Sequence, residues 1–103
     1  MTLSEMHEMM EDKPGMGMRR ASWPREEGTV FYFLDMEWRF ENLRTGKSGP
    51  ARKAKICKPD EFQLYEDWEP AQLGWNATQF RREAMKRQAA RLEAIRKARG
   101  GEA

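Results

Sequence analysis

Apolar residues recur along this chain with two different periods, and the changes of period mark out its elements. Among the first dozen residues Met6, Met9 and Met10 share one face of a helical wheel, and Thr2 and Glu5 stand at capping-box spacing. A short helix ending near Asp12 is predicted, because Pro14-Gly15 cannot continue it. From Met16 the pattern alternates, with Gly17, Arg19, Ala21 and Trp23 on one side and Met16, Met18, Arg20 and Ser22 on the other. Pro24 stops that strand and the charged stretch Arg25–Gly28 makes a turn. Thr29–Leu34, rich in β-branched and aromatic residues, is the strongest strand in the chain and is expected to be central.

After Asp35 alternation resumes, placing Met36, Trp38 and Phe40 on one face and Glu37, Arg39 and Glu41 on the other, as in a half-buried strand. Thr45–Pro50 reads as a turn or flexible loop, and Arg52–Cys57 as a weaker strand whose Lys and Arg suit a sheet edge. Lys58-Pro-Asp-Glu begins a short helical turn, and Pro70 is expected to end the compact part. Asn76 and Gln79 then cap a long helix over Ala77–Arg99, closed by Gly100-Gly101. Its stripe of Phe80, Ala84, Met85, Ala89, Leu92 and Ile95 is narrow and alanine-rich, so it can dock on the domain, pair with another copy, or project into solvent. The predicted fold class is α+β: a short N-terminal helix, a small mostly antiparallel sheet and a long basic C-terminal helix.

With 103 residues the chain has material for one modest core. Its single cysteine, Cys57, cannot form an intramolecular disulfide, and with the single His7 it leaves no set of four zinc ligands. No apolar run approaches the roughly 18–20 residues of a membrane span, and the N-terminus lacks the pattern of a signal peptide, so the cytoplasm is the expected compartment and no membrane partner is expected. The net charge of +2 is unevenly spread: residues 1–77 carry 11 Lys/Arg against 14 Asp/Glu, a net −3, and residues 78–103 carry 8 against 3, a net +5. That asymmetry divides the chain into a compact unit, residues 1–76, and a basic helix with its tail, residues 77–103.

The chemical candidates are few. His7 lies beside glutamates on the first helix with no local nucleophile, which makes it a solvated surface histidine. Cys57 is expected to be buried or half-buried, although Lys55 and Lys58 flank it. Asp60, Glu61, Glu66, Asp67 and Glu69 match no calcium loop, and Asp67 is expected to hydrogen-bond backbone amides in a polar loop. Gly46-Lys47-Ser48 copies the end of a phosphate-binding loop, but Glu41 stands where that motif needs its first glycine and no helix follows. No catalytic constellation emerges, so a binding protein without a cofactor, not an enzyme, is expected.

Aromatics beside cations are the more informative pattern: Arg19, Arg20 and Trp23; Tyr32; Trp38 and Arg39; Asp67 and Trp68. Rings stack on bases and guanidinium groups fork onto phosphates, although the same rings can equally build a core. The basic C-terminal helix, with Arg81, Arg82, Lys86 and Arg87 in its first half, has the charge of a nucleic-acid or host-protein contact or of a solvated helix.

In this order the elements resemble a phage family of Thoeris anti-defence proteins, first catalogued as a domain of unknown function. The resemblance is carried by Leu3-Ser-Glu-Met-His-Glu-Met-Met10, by Arg19-Arg-Ala-Ser-Trp-Pro24, by Val30–Leu34 and by Asp60-Glu-Phe-Gln-Leu-Tyr-Glu-Asp-Trp-Glu69. It spans about residues 2–70. The family's members are sponges that bind a cyclic nucleotide immune signal without cleaving it, in pockets between the subunits of a homo-oligomer. The resemblance implies Trp23 and Trp68 as rings facing a base, with Arg20, Tyr32 and Asp67 as polar partners. On that basis Trp68→Ala removes binding and leaves the oligomer intact. Pro24 and the basic helix depart from the family pattern.

Overall fold

The computed structural model describes residues 1–100. Helix α1, Leu3–Asp12, opens the chain, and strands β1 (Met16–Arg20), β2 (Thr29–Leu34), β3 (Glu37–Asn42), β4 (Ser48–Pro50) and β5 (Trp68–Gln72) follow before helix α2, Trp75–Gly100. The strands form one antiparallel sheet in the order β4-β3-β2-β1-β5, with β2 at its centre. The architecture is therefore α+β, with a short first helix and a long last one, as the periodicities predict.

The reciprocal cap at the start of α1 forms: the Glu5 amide donates to Thr2 Oγ1 at 3.3 Å and the Thr2 amide donates to Glu5 Oε1 at 2.9 Å. The Thr2 amide and the Thr2 hydroxyl, which donates to the same Oε1 at 3.0 Å, hold the Glu5 carboxyl below its ordinary range. Met6 and Met10 are buried on one face of the sheet with Met18, Phe31, Phe62 and Trp68, and Trp38 and Phe40 pack against them. On the opposite face Val30 and Tyr32 meet Leu73 and Ala77 at the start of α2. Both faces of β2 are thus covered, which is why its sequence is continuously apolar.

Several expectations change. The edge strand is Ser48–Pro50, not Arg52–Cys57, where a short 3-10 turn, Ala51–Lys53, is followed by irregular chain. A three-residue edge needs only backbone pairing with Arg39–Glu41, and no alternating pattern announces it. Trp68–Gln72 is a strand despite Pro70, because at the edge the missing amide faces away from the ladder. The compact part therefore continues past Pro70 into α2, where Ala77, Arg81 and Ala84 are buried.

Strand β1 ends at Arg20, and the Trp23 amide donates back to the Arg20 carbonyl at 3.1 Å. The turn brings Trp23 over the face of Met18 and Phe31, overriding the predicted alternation. Met36 likewise leaves the face of Trp38 and Phe40. It forms, with Asp35, the two-residue turn joining β2 to β3, at φ of 64° and 50° respectively. Both are left-handed conformations that cost a side-chain-bearing residue about 1–2 kcal/mol.

Gly17 permits the close approach of β1 to β2 and to the Leu73 side chain, because a Cβ there would lie 2.5 Å from the Phe31 carbonyl oxygen. Glu41, a polar residue in the middle of the sheet, is buried and accepts from the Gly74 amide at 2.6 Å, tying the entry to α2 onto β3.

Candidate functional site

Four of the five residues expected to face a ligand come together where β1, the turn after it and the start of β5 meet. Arg20 Nε donates to Asp67 Oδ1 at 2.9 Å, and Ser22 Oγ donates to Asp67 Oδ2 at 2.8 Å. The guanidinium carbon lies 3.7 Å from the centre of the Tyr65 ring, a cation–π contact that nothing in the spacing of Arg20 and Tyr65 along the chain announces. The Arg20 pair, with the Ser22 hydroxyl, holds the Asp67 carboxyl below the usual carboxylate range. The Ser22 backbone also contributes to holding the Asp67 carboxylate, in line with the expected backbone bonding, but the Arg20 guanidinium is its chief partner, and the Asp67 carbonyl accepts from the Ala21 amide at 2.8 Å. Among the described residues no hydrogen bond reaches the two Nη atoms of Arg20, and the side chain is 25% exposed.

Trp23 is half-buried beside this group, its ring centre 6.1 Å from that of Trp68 in an edge-to-face pair. Arg19 fixes the turn that carries it, donating to the carbonyls of Trp23 at 2.7 Å and Pro24 at 3.2 Å and pairing with Glu69 at 3.6 Å. A shallow groove of about 450 Å³, lined by Thr2, Ser4, Gln63 and Tyr65 among others, adjoins the cluster on the Tyr65 side.

Trp68, within this group, faces the interior and not the surface, and Tyr32 lies outside the group. Trp68 is 1% exposed, donates from Nε1 to the Phe62 carbonyl at 3.0 Å and packs edge-on against four aromatic rings, which makes it the centre of the core. Tyr32 is 1% exposed on the other side of the sheet, where its hydroxyl accepts from Arg39 Nε at 3.3 Å. Side-chain type alone could not separate these interior rings from a half-exposed one such as Trp23.

The basic helix divides in the same way. Arg81 is buried and donates to the carbonyls of Met10, Lys13, Pro14 and Met16 at 2.7–3.0 Å, so it is a structural clamp and not a free cation. Burial lowers its pKa from the ordinary guanidinium value. Arg82, Lys86 and Arg87 are exposed, and Arg87 lies 3.5 Å from Asp35.

A second concavity was not legible in the sequence. A cleft of about 420 Å³ opens between α1, the Asp35–Met36 turn and α2, with Met10, Phe33, Leu34, Met85 and Leu92 among its lining. His7, expected to be solvated, lines it instead and stands with its ring centre 5.3 Å from Phe33 and 5.2 Å from Trp38.

Cys57 is buried, and that burial, with the nearby Glu61 carboxylate, pushes its thiol up to about 12. The thiol should therefore resist aromatic disulfide reagents in the native protein at pH 8 and react at once after unfolding in urea. Rapid native labelling would contradict the burial. Among the described residues no group of three or more His, Cys, Asp or Glu is placed to hold a metal ion, and no helix is long and apolar enough to cross a membrane. No protein-family model, curated protein or solved structure matches the chain.

Proposed function

We propose that this protein sequesters a small cyclic nucleotide, the signal of a bacterial immune system, and acts by mass action without turnover. The observation that supports it best is the Arg20 group. A guanidinium is aimed by Asp67, flattened on Tyr65 and left with its Nη edge unspent beside the half-exposed Trp23 ring. A fork of N–H donors next to an aromatic face suits a phosphate attached to a base. The cluster lies on an open surface with only a shallow groove beside it, and a second subunit would supply the wall that closes it. That agrees with the inter-subunit pockets implied by the resemblance of residues 2–70.

The test is calorimetric titration of the full chain with cyclic dinucleotides and cyclic ADP-ribose isomers, followed by chromatography of the released ligand. One nucleotide should bind and return chemically intact. Trp23→Ala and Arg20→Gln should each weaken it by about tenfold or more, equal to about 1.4 kcal/mol, with the thermal unfolding midpoint lowered but the native circular dichroism spectrum kept for Trp23→Ala. A modified product would make the protein an enzyme, and affinity indifferent to both substitutions would place the ligand elsewhere.

The alternative is an oligonucleotide or host-protein contact through Arg82, Lys86 and Arg87. Oligonucleotide binding there would fall steeply with salt and disappear on truncation after Ala89 combined with Arg82→Glu and Lys86→Glu. Removal of all residues from Ala77 cannot make this distinction, because Ala77, Arg81 and Ala84 belong to the packed body.

A further inference from the structure

Helix α2 outruns the body it packs on. Its 26 residues span about 39 Å, the molecule is 55 Å long against 26 and 21 Å across, and every residue from Lys86 to Arg99 is exposed. The face that is buried at Ala77, Arg81 and Ala84 runs through the half-buried Met85 and continues along this overhang as Gln88, Leu92 and Ile95, spaced by four and three residues. Leu92 edges the α1–α2 cleft yet is 63% exposed, and Ile95, beyond the cleft, is 46% exposed, so the seam is left largely uncovered.

Two further observations indicate what covers it. The overhang from Lys86 to Arg99 carries six Lys/Arg against Glu93, whereas α1 carries Glu5, Glu8, Glu11 and Asp12 and no Lys or Arg. Glu11 and Asp35 stand on the α1–α2 cleft, and Asp35 already attracts Arg87 of the same chain. The lip of the cleft is Met36, 86% exposed and held at a positive φ where glycine or asparagine would sit without strain. A large apolar side chain kept at such a turn is placed for contact.

We propose that the overhang of α2 docks on the α1–α2 cleft of a second copy, the two copies clasping each other as an antiparallel pair. Leu92 and Ile95 of each copy meet Met36 and the cleft of the other, and Arg96 and Lys97 reach its acidic rim. A parallel pairing of two overhangs would set basic tails side by side, whereas the antiparallel one separates them and gives each an acidic neighbour. The contact is self-complementary, so two equal clasps form about one two-fold axis. The pair is independent of the nucleotide reading, since the Arg20 group lies outside this contact.

Sedimentation velocity and light scattering of the full chain at micromolar concentration test the pairing. The wild type should be a dimer, or a higher assembly built from it, and Leu92→Glu with Ile95→Glu should weaken that step by about tenfold or more while the helical circular dichroism signal stays native. Glu11→Lys with Asp35→Lys should also weaken it, and adding Arg96→Glu with Lys97→Glu should restore it. Under mild oxidation a chain carrying both Met36→Cys and Ile95→Cys should form inter-chain disulfides. A monomeric wild type would overturn the proposal, as would assembly indifferent to L92E/I95E with no such cross-link. An overhang that responds only to added oligonucleotide would also overturn it.

Discussion

Arg81→Ala is expected to cost about 2–4 kcal/mol of folding stability, because hydrogen bonds from a charged donor are lost and a buried acceptor left unsatisfied costs about 1–3 kcal/mol. The reason lies at the end of α1. That helix ends at Asp12, with no basic residue in its last turn and with Lys13 extended, ahead of Pro14, where a glycine would commonly curl back to cap the carbonyls. The Met10 carbonyl in its last turn, and those of Pro14 and Met16 in the link to β1, lie beneath α2 and need donors. The guanidinium of Arg81 supplies the missing donors, and its charge sits at the negative end of the α1 dipole, which offsets the lack of a carboxylate partner.

Removing it leaves those carbonyls without this donor and frees α2 from α1. A domain of this size holds about 5–15 kcal/mol in total, so the variant should be near its unfolding threshold. Arg81→Lys keeps the charge but not the planar fork and should lose less. Urea midpoints of the three proteins measure this. A loss below about 1 kcal/mol for Arg81→Ala would show that the packing of Ala77 and Ala84 alone holds the helix.

Trp68→Ala should be comparably severe, at about 3–5 kcal/mol, because a large ring leaves a cavity and the Phe62 carbonyl loses its donor. Trp68→Phe, which keeps most of the ring volume, should fall between this variant and the wild type. Loss of ligand binding in Trp68→Ala would then report unfolding and not a missing stacking partner, in contrast to the expectation drawn from the family resemblance. Far-UV circular dichroism of the variant decides it: native helicity with full stability would return Trp68 to the ligand, and a lowered melting temperature keeps it in the core. Trp23→Ala is the cleaner probe, since its ring is half-buried at the margin and its turn is held by Arg19.

Local chemistry was sufficient wherever an element's own residues met its needs. The capping box of Thr2 and Glu5, the continuous apolar run Thr29–Leu34 and the helical period of the last quarter each carry a signal within a few residues. The α+β class could be read from them. Strands β4 and β5 escaped because they are edges: one is only three residues long, the other contains a proline, and both owe their conformation to the backbone of a neighbouring strand.

The candidate site was half legible for a related reason. That Arg20, Trp23, Asp67 and Trp68 belong together could be inferred from a resemblance covering both segments, but no spacing says which ring faces inward. The antiparallel pairing of β1 with β5 sets Arg20 opposite Trp68, and the turn after β1 folds Trp23 over the core. Those two long-range facts make one tryptophan interior and leave the other at the surface. Likewise the sequence by itself determined that the last helix is basic, with a narrow apolar stripe. Only the tertiary structure decided that Arg81 is spent inside, that Leu92 reaches the edge of a cleft with acidic residues, and that Ile95 lies beyond it. Burial depends on which surfaces distant segments bring together, and a residue's type sets only the free energy of being placed there.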